Sequence, residues 1–154
     1  MGLTRVPGAD TVLGMAERIF PRSPHEIMCG WKHLPRFIDK IRLHLAGRLH
    51  LDYRANFTKG FDGRWLEAAG VSDEAFIELV GRCLTDGQIC NWVLKNVRRT
   101  EEQKDQFNQF VLNRGTEDEE VRARLELRKE EAGLRGRADV RTFLDLIEAD
   151  EGRL

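Results

Sequence analysis

The sequence predicts an all-α protein: a single compact domain of about six or seven helices with a charged C-terminal helical hairpin. Three observations carry that prediction. Apolar residues recur at steps of three and four through most of the chain, the spacing that puts them on one face of a helix. Four segments carry the Ser/Thr-x-x-Glu/Gln pattern of a capping box, at Ser23–Glu26, Thr85–Gln88, Thr100–Gln103 and Thr116–Glu119. No apolar/polar alternation and no Asn-Gly turn competes for a strand reading.

In chain order, residues 1–20 form a poorly ordered or short helical N-terminus, because Pro7 and Gly8 interrupt it while Val12, Met15 and Ile19 could pack. The core domain is predicted at 21–115. Ser-Pro-His-Glu at 23–26 places Pro24 at a first helical position, and a short helix is expected from there to about Gly30. Pro35 suits the first turn of the next helix, whose stripe is Leu34, Phe37, Ile38, Ile41, Leu45 and Leu49. From His50 to Phe61 the period stops and a polar loop is expected. Asp62 is the expected N-cap of the following helix, with Phe61 and Leu66 as its hydrophobic staple and Gly70 as its C-terminal stop.

Ser72 then caps a helix burying Ala75, Phe76, Leu79, Val80 and Cys83. The next two boxes open helices that bury Ile89, Trp92, Val93 and Val97, then Phe107, Phe110 and Val111. Segment 116–154 supplies the charged helices docked on the core. Its first half is nearly all charge, so it is expected on the outside. Val140, Phe143, Leu144 and Ile147 make a final amphipathic helix that docks.

The run LPRFIDKIRLHLAGRL, followed by DYRANFTKGFDGRWLEAAGV, resembles an uncharacterised bacterial family known as domain of unknown function 5069. The resemblance covers mainly Pro21 to Trp92, with Gly60 to Val71 among its most specific parts. It implies a small bacterial, cytoplasmic, helical protein and brings no activity with it.

At 154 residues and 17.8 kDa, with 41% hydrophobic and 33% charged residues, the chain is too apolar for a disordered protein and long enough for one core. No run approaches a membrane span, and Asp10, Glu17 and Arg18 interrupt any secretory signal, so a cytoplasmic protein is expected. Cys29, Cys83 and Cys90 lack metal or framework spacing, which favours reduced thiols. Charge is uneven: Trp31 to Arg64 holds eight Lys or Arg against three Asp, whereas Thr116 to Leu154 holds eight basic against twelve acidic residues.

No nucleotide-binding loop, zinc-protease, hydrolase-elbow or calcium-loop pattern occurs, so no cofactor is expected. His25, Cys29 and His33 would share a face only on an unbroken helix, and Gly30 with Pro35 breaks it; no metal is expected. A pI near 6.4 and the lack of a reading motif argue against nucleic acid as a partner, and no membrane is implied. The chemistry concentrates in His33, Arg36, Asp39, Lys40, Tyr53, Asn56 and Arg64. Arg36, Lys40 and Arg64 could clamp an anion, Asp39 or Asp52 could act as base, and Tyr53 or His33 as acid. The favoured reading is a binding module for a small anionic ligand or an acidic partner. A small acid–base enzyme using the same cluster is one alternative, and a homodimer joined by Glu117–Glu120 and the basic stretch of a second copy is another.

Overall fold

The computed structural model describes residues 18–154, so the expectation for the first 17 residues, Val12 and Met15 included, lies outside the described residues. The described residues fold as eight helices and one two-stranded hairpin, an all-α architecture as predicted. In chain order these are β1 (Ile27–Met28), β2 (Trp31–Lys32), α1 (Leu34–Leu45), α2 (Leu51–Arg54), α3 (Gly60–Ala69), α4 (Asp73–Arg82), α5 (Asp86–Asn96), α6 (Glu101–Asn113), α7 (Glu119–Glu131) and α8 (Phe143–Asp150).

Helix α1 is the central element. Leu34, Phe37, Ile38 and Ile41 are fully buried, and their stripe faces α4 on one side and α3 on the other. Around Phe37 an aromatic cluster fills the interior. Trp65 lies with its ring centroid 6.2 Å away and Phe76 at 5.4 Å, while Trp31 meets Trp65 edge-on at 6.0 Å. Such offset and T-shaped contacts suit the ring quadrupoles and add to the area they bury. The stripe stops earlier than its period suggests, because α1 ends at Leu45, which is exposed.

Local end signals decide most helix boundaries. Thr85 with Gln88 and Thr100 with Gln103 form complete capping boxes, and Ser72 accepts the Ala75 N–H. Gly70 closes α3 in the left-handed conformation at φ 72°, its N–H and that of Val71 both reaching the Leu66 carbonyl. A side chain there would be strained and would also meet the Arg99 guanidinium at 2.7 Å.

Four expectations are corrected. Ser23–Glu26 does not open a helix: the Ser23 hydroxyl accepts the His25 N–H in a turn, and residues 27–32 form the β1–β2 hairpin. Cys29 (φ 54°) and Gly30 (φ 87°) supply the two left-handed residues that a tight two-residue hairpin turn requires. The Asn108 side chain on α6 then clamps the hairpin, donating to the Gly30 carbonyl and accepting the Lys32 N–H. The His50–Phe61 segment is not an open loop, since His50 caps the short helix α2 through the Asp52 N–H. Asp62 is not the N-cap of α3: Lys59 holds that position and Asp62 lies within the first turn. Helix α7 is capped by Asp118 in place of Thr116.

The C-terminal segment closes the molecule. On α7, Val121, Leu125 and Lys129 point inward at steps of four, and the Lys129 ammonium donates to the Arg137 and Val140 carbonyls, folding the chain back toward α8. Leu144 on α8 reaches the main core at 1% exposure.

Candidate functional site

The densest polar chemistry gathers on the side of α1 that α3 and α8 cover. In the first turn of α3, where a carboxylate is favoured by the unpaired N–H groups, Asp62 is completely buried. Its Oδ1 is 2.7 Å from His33 Nε2, its Oδ2 accepts from Lys40 Nζ at 2.6 Å, and the Thr58 N–H donates to Oδ2 at 3.1 Å. Burial works to raise this carboxyl, but Lys40 and His33 overcome it and hold Asp62 below the ordinary carboxylate range. For His33 burial wins, pushing the imidazole below its ordinary value despite Asp62. His33 is therefore neutral at pH 7, with Nε2–H donated to Asp62 and Nδ1 left without a partner among the described residues.

Backbone strain converges on the same carboxylate. Three described non-glycine residues are left-handed, Cys29, His33 (φ 71°) and Thr58 (φ 64°). Cys29 turns the hairpin, whereas His33 and Thr58 both bond Asp62. Each such conformation costs on the order of 1–3 kcal/mol and persists where surrounding contacts enforce it, as functional sites commonly do.

One turn of α1 away, a second buried pair ties the C-terminus to the core. Arg36 forks onto Glu151, Nη1 to Oε1 at 2.9 Å and Nη2 to Oε2 at 2.6 Å. The Tyr53 hydroxyl donates to Glu151 Oε2 at 2.8 Å, and Arg153 bonds the other oxygen. Burial and the Glu151 charge push the Tyr53 phenol well above its ordinary range. Glu151 is raised by burial but lowered further by Arg36, so it is ionised at neutral pH.

Above these pairs opens a cleft of about 870 Å³, within the range typical of small-ligand sites. One wall is the start of α3 with α2 and the end of α6, and the facing wall is α7 and α8. Eight cationic side chains line it against five acidic ones. Arg64 lies with its guanidinium carbon 4.0 Å above the Phe110 ring, and Arg114 sits 5.4 Å from the same centroid. Lys59 and Arg124 have no ion-pair partner among the described residues. A smaller hollow of about 420 Å³, bordered by His44, Gly47, Leu49, Arg54 and Phe57, holds no comparable cluster.

Of the seven candidates from sequence, His33, Arg36, Lys40, Tyr53, Asn56 and Arg64 line this cleft. Asp39 does not: it faces Arg22, accepting from the backbone N–H at 2.8 Å and from two guanidinium nitrogens at 3.0 Å. Arg36 and Lys40 are buried at 3% and 5% exposure and each already holds a carboxylate, so neither is a free anion clamp. Sequence reasoning missed Glu151, Lys59, Arg124 and Phe110. Glu151 carries no local signal, as its pairing with Arg36 spans 115 residues; Lys59 lies inside the polar stretch between His50 and Phe61.

The cysteines also depart from expectation. Cys29 and Cys90 are joined as a disulfide, their Cα atoms 5.9 Å apart, while Cys83 is free. The hairpin brings together residues 61 positions apart, which spacing alone does not show. With Cys29 on Cys90 and His33 on Asp62, the His25–Cys29–His33 set has no common face. Among the described residues no group of three His, Cys, Asp or Glu could hold a metal, and no helix is long and apolar enough to cross a membrane.

A family model described as Domain of unknown function (DUF5069) matches residues 18–153, nearly the whole described chain. No curated protein matches the sequence.

Proposed function

The chain belongs to the DUF5069 family, and from the cleft itself we propose that it is a helical binding module for a small anionic ligand. One observation carries the reading. The acids of the cleft floor, Asp62 and Glu151, are spent on Lys40, Arg36 and Arg153, while Lys59 and Arg124 face the same space without an ion-pair partner among the described residues. Like charges sharing a concave surface repel, and an entering anion turns that repulsion into attraction. The first turn of α3 adds to this, because Lys59 offers no side-chain acceptor to its leading N–H groups. The inner pairs serve this site by fixing its floor.

The test is a thermal-shift screen of inorganic phosphate, pyrophosphate and dicarboxylates against the full chain and its Lys59→Ala/Arg124→Ala variant. At a hundredfold excess over Kd a ligand stabilises by about 2.7 kcal/mol, roughly 5–10 °C for a domain of this size. The variant should melt like the parent alone and lose the ligand shift. An equal shift in both proteins would sink the assignment.

A second reading, acid–base catalysis in the same cleft, is favoured by His33, whose tautomer is set by Asp62 and whose Nδ1 has no partner among the described residues. It predicts that His33→Gln retains ligand binding while abolishing turnover of that ligand. The homodimer arm fits less well, because Glu117 folds back on its own chain, accepting the Gly115 N–H at 2.7 Å and Arg114 at 3.1 Å. A cytoplasmic setting belongs to the same proposal on compositional grounds. The Cys29–Cys90 bond pulls against it, and trapping the thiols in intact cells decides between them.

A further inference from the structure

The cleft has an apolar half that the anion reading leaves unused. On α8, Phe143, Leu146 and Ile147 lie at steps of three and four on one face and line the cleft while only half-buried. Leu144, about a quarter-turn further round the same helix, is in the core at 1% exposure, so α8 has a second apolar face that the protein covers only in part. Across the cleft, Phe61 and Phe110 meet edge-on with centroids 6.1 Å apart and are also half-buried. Five apolar side chains thus line a space whose mouth carries Lys59, Arg64 and Arg124. A bare oxyanion would use the cations and leave this lining wet.

Resting on the anion reading, we propose that the ligand is a soluble anionic amphiphile: one negatively charged head group carried on an alkyl or aryl body. The head group meets the cations at the start of α3 and on α7, and the body lies along the Phe143–Leu146–Ile147 ridge against Phe61 and Phe110. The volume of about 870 Å³ accommodates such a molecule. Because the ridge lies inside a concavity, the site takes single molecules rather than a membrane surface. Burial of each further methylene should tighten binding about fourfold, until the apolar lining is covered.

Isothermal titration of the full chain with butyl, hexyl and octyl phosphate, kept below their micelle concentrations, tests this. Inorganic phosphate, 1-octanol and vesicles of anionic phospholipid are the comparison arms. The expected result is affinity rising steeply with chain length, with the octanol and phosphate binding far more weakly and the vesicles not retaining the protein. Leu146→Asn should flatten the chain-length dependence without changing the response to inorganic phosphate, and Ile147→Ser should do the same. If phosphate and all three alkyl phosphates bind equally, the amphiphile proposal is overturned while the anion site stands. If no anion binds in any arm, both fall. Tight vesicle binding with no response to the soluble series overturns the single-molecule occupant.

Discussion

Replacing Lys40 by Met isolates what the buried Asp62 cluster costs. Methionine fills the space of the lysine stem but removes the ammonium 2.6 Å from Asp62 Oδ2. The carboxylate keeps the Thr58 N–H and the neutral His33 Nε2–H, yet its charge is now uncompensated at zero exposure. Removing one partner of a buried pair costs about 3–5 kcal/mol, because the remaining charge cannot return to water. With an unfolding entropy of about 2.1 cal/mol/K per residue, a loss of 4 kcal/mol lowers Tm by roughly 12 °C. The loss should depend on pH, and the sign follows from His33.

In the parent protein the imidazole is neutral in both states above its ordinary value of 6.5. Below 6.5 the unfolded chain takes up a proton that the folded one refuses, so the parent loses stability as pH falls until the lowered folded value is reached. Lys40 is one of the charges that hold His33 down. In Lys40→Met that opposition is gone, His33 protonates more readily, and a His33–Asp62 ion pair takes over part of the compensation. The gap between parent and variant should therefore be widest near pH 8 and shrink toward pH 6. Adding Asp62→Asn to Lys40→Met, which removes the stranded charge while keeping an acceptor for Thr58, should recover much of the loss. Circular-dichroism melts across this pH range provide the measurement. A Tm change under 2 °C at pH 8, or a gap that widens with acid, would refute the reasoning.

Two further perturbations probe the rest of the frame. Glu151→Gln strands the buried Arg36 fork and should cost about 3 kcal/mol, whereas Tyr53→Phe removes one hydroxyl from a carboxylate that keeps its guanidinium and should cost about 1 kcal/mol; urea unfolding that ranks them the other way contradicts the assignment of Arg36 as the main partner. The Cys29–Cys90 bond closes a loop across a separation of 61 residues, and chain entropy values that at about 4 kcal/mol, so reductant should lower the Tm of the parent and leave Cys90→Ser unmoved. An identical melt with and without reductant would show that the bond contributes nothing.

What was legible in the sequence is what local interactions decide. The Thr85–Gln88 and Thr100–Gln103 boxes, the Ser72 cap and the Gly70 stop each depend on residues within four positions, and all occur as expected. Ser23–Glu26 has the same pattern and fails, because only two residues separate Pro24 from the next strand. Too little chain remains there to repay helix nucleation, and the Cys29–Gly30 turn with its Asn108 clamp offers a better use of the backbone groups. Asp62 departs from the N-cap expectation for a related reason. A carboxylate near a helix start is stabilised at the cap and in the first turn alike, and it is the nonlocal arrival of His33 and Lys40 that draws it inward.

The cleft shows the same division between near and distant partners. His33, Arg36 and Lys40 lie on the polar side of one helix start and could be grouped from spacing. Their roles were hidden because burial depends on α8, more than a hundred residues further on, where Glu151 takes Arg36 out of any ligand's reach. A polar side chain on the open side of a helical wheel is available only if no later element covers it. Here α8 covers Arg36 and leaves the Phe143–Leu146–Ile147 ridge facing the open space. Helix α7 meanwhile brings Arg124 to the same cleft from a segment whose net charge is negative. The net charge of a segment therefore does not predict the charge of the surface it presents. The acids of α7 stay exposed, Glu151 just past α8 is the buried acid that neutralises Arg36, and the cleft keeps eight cationic side chains against five acidic ones.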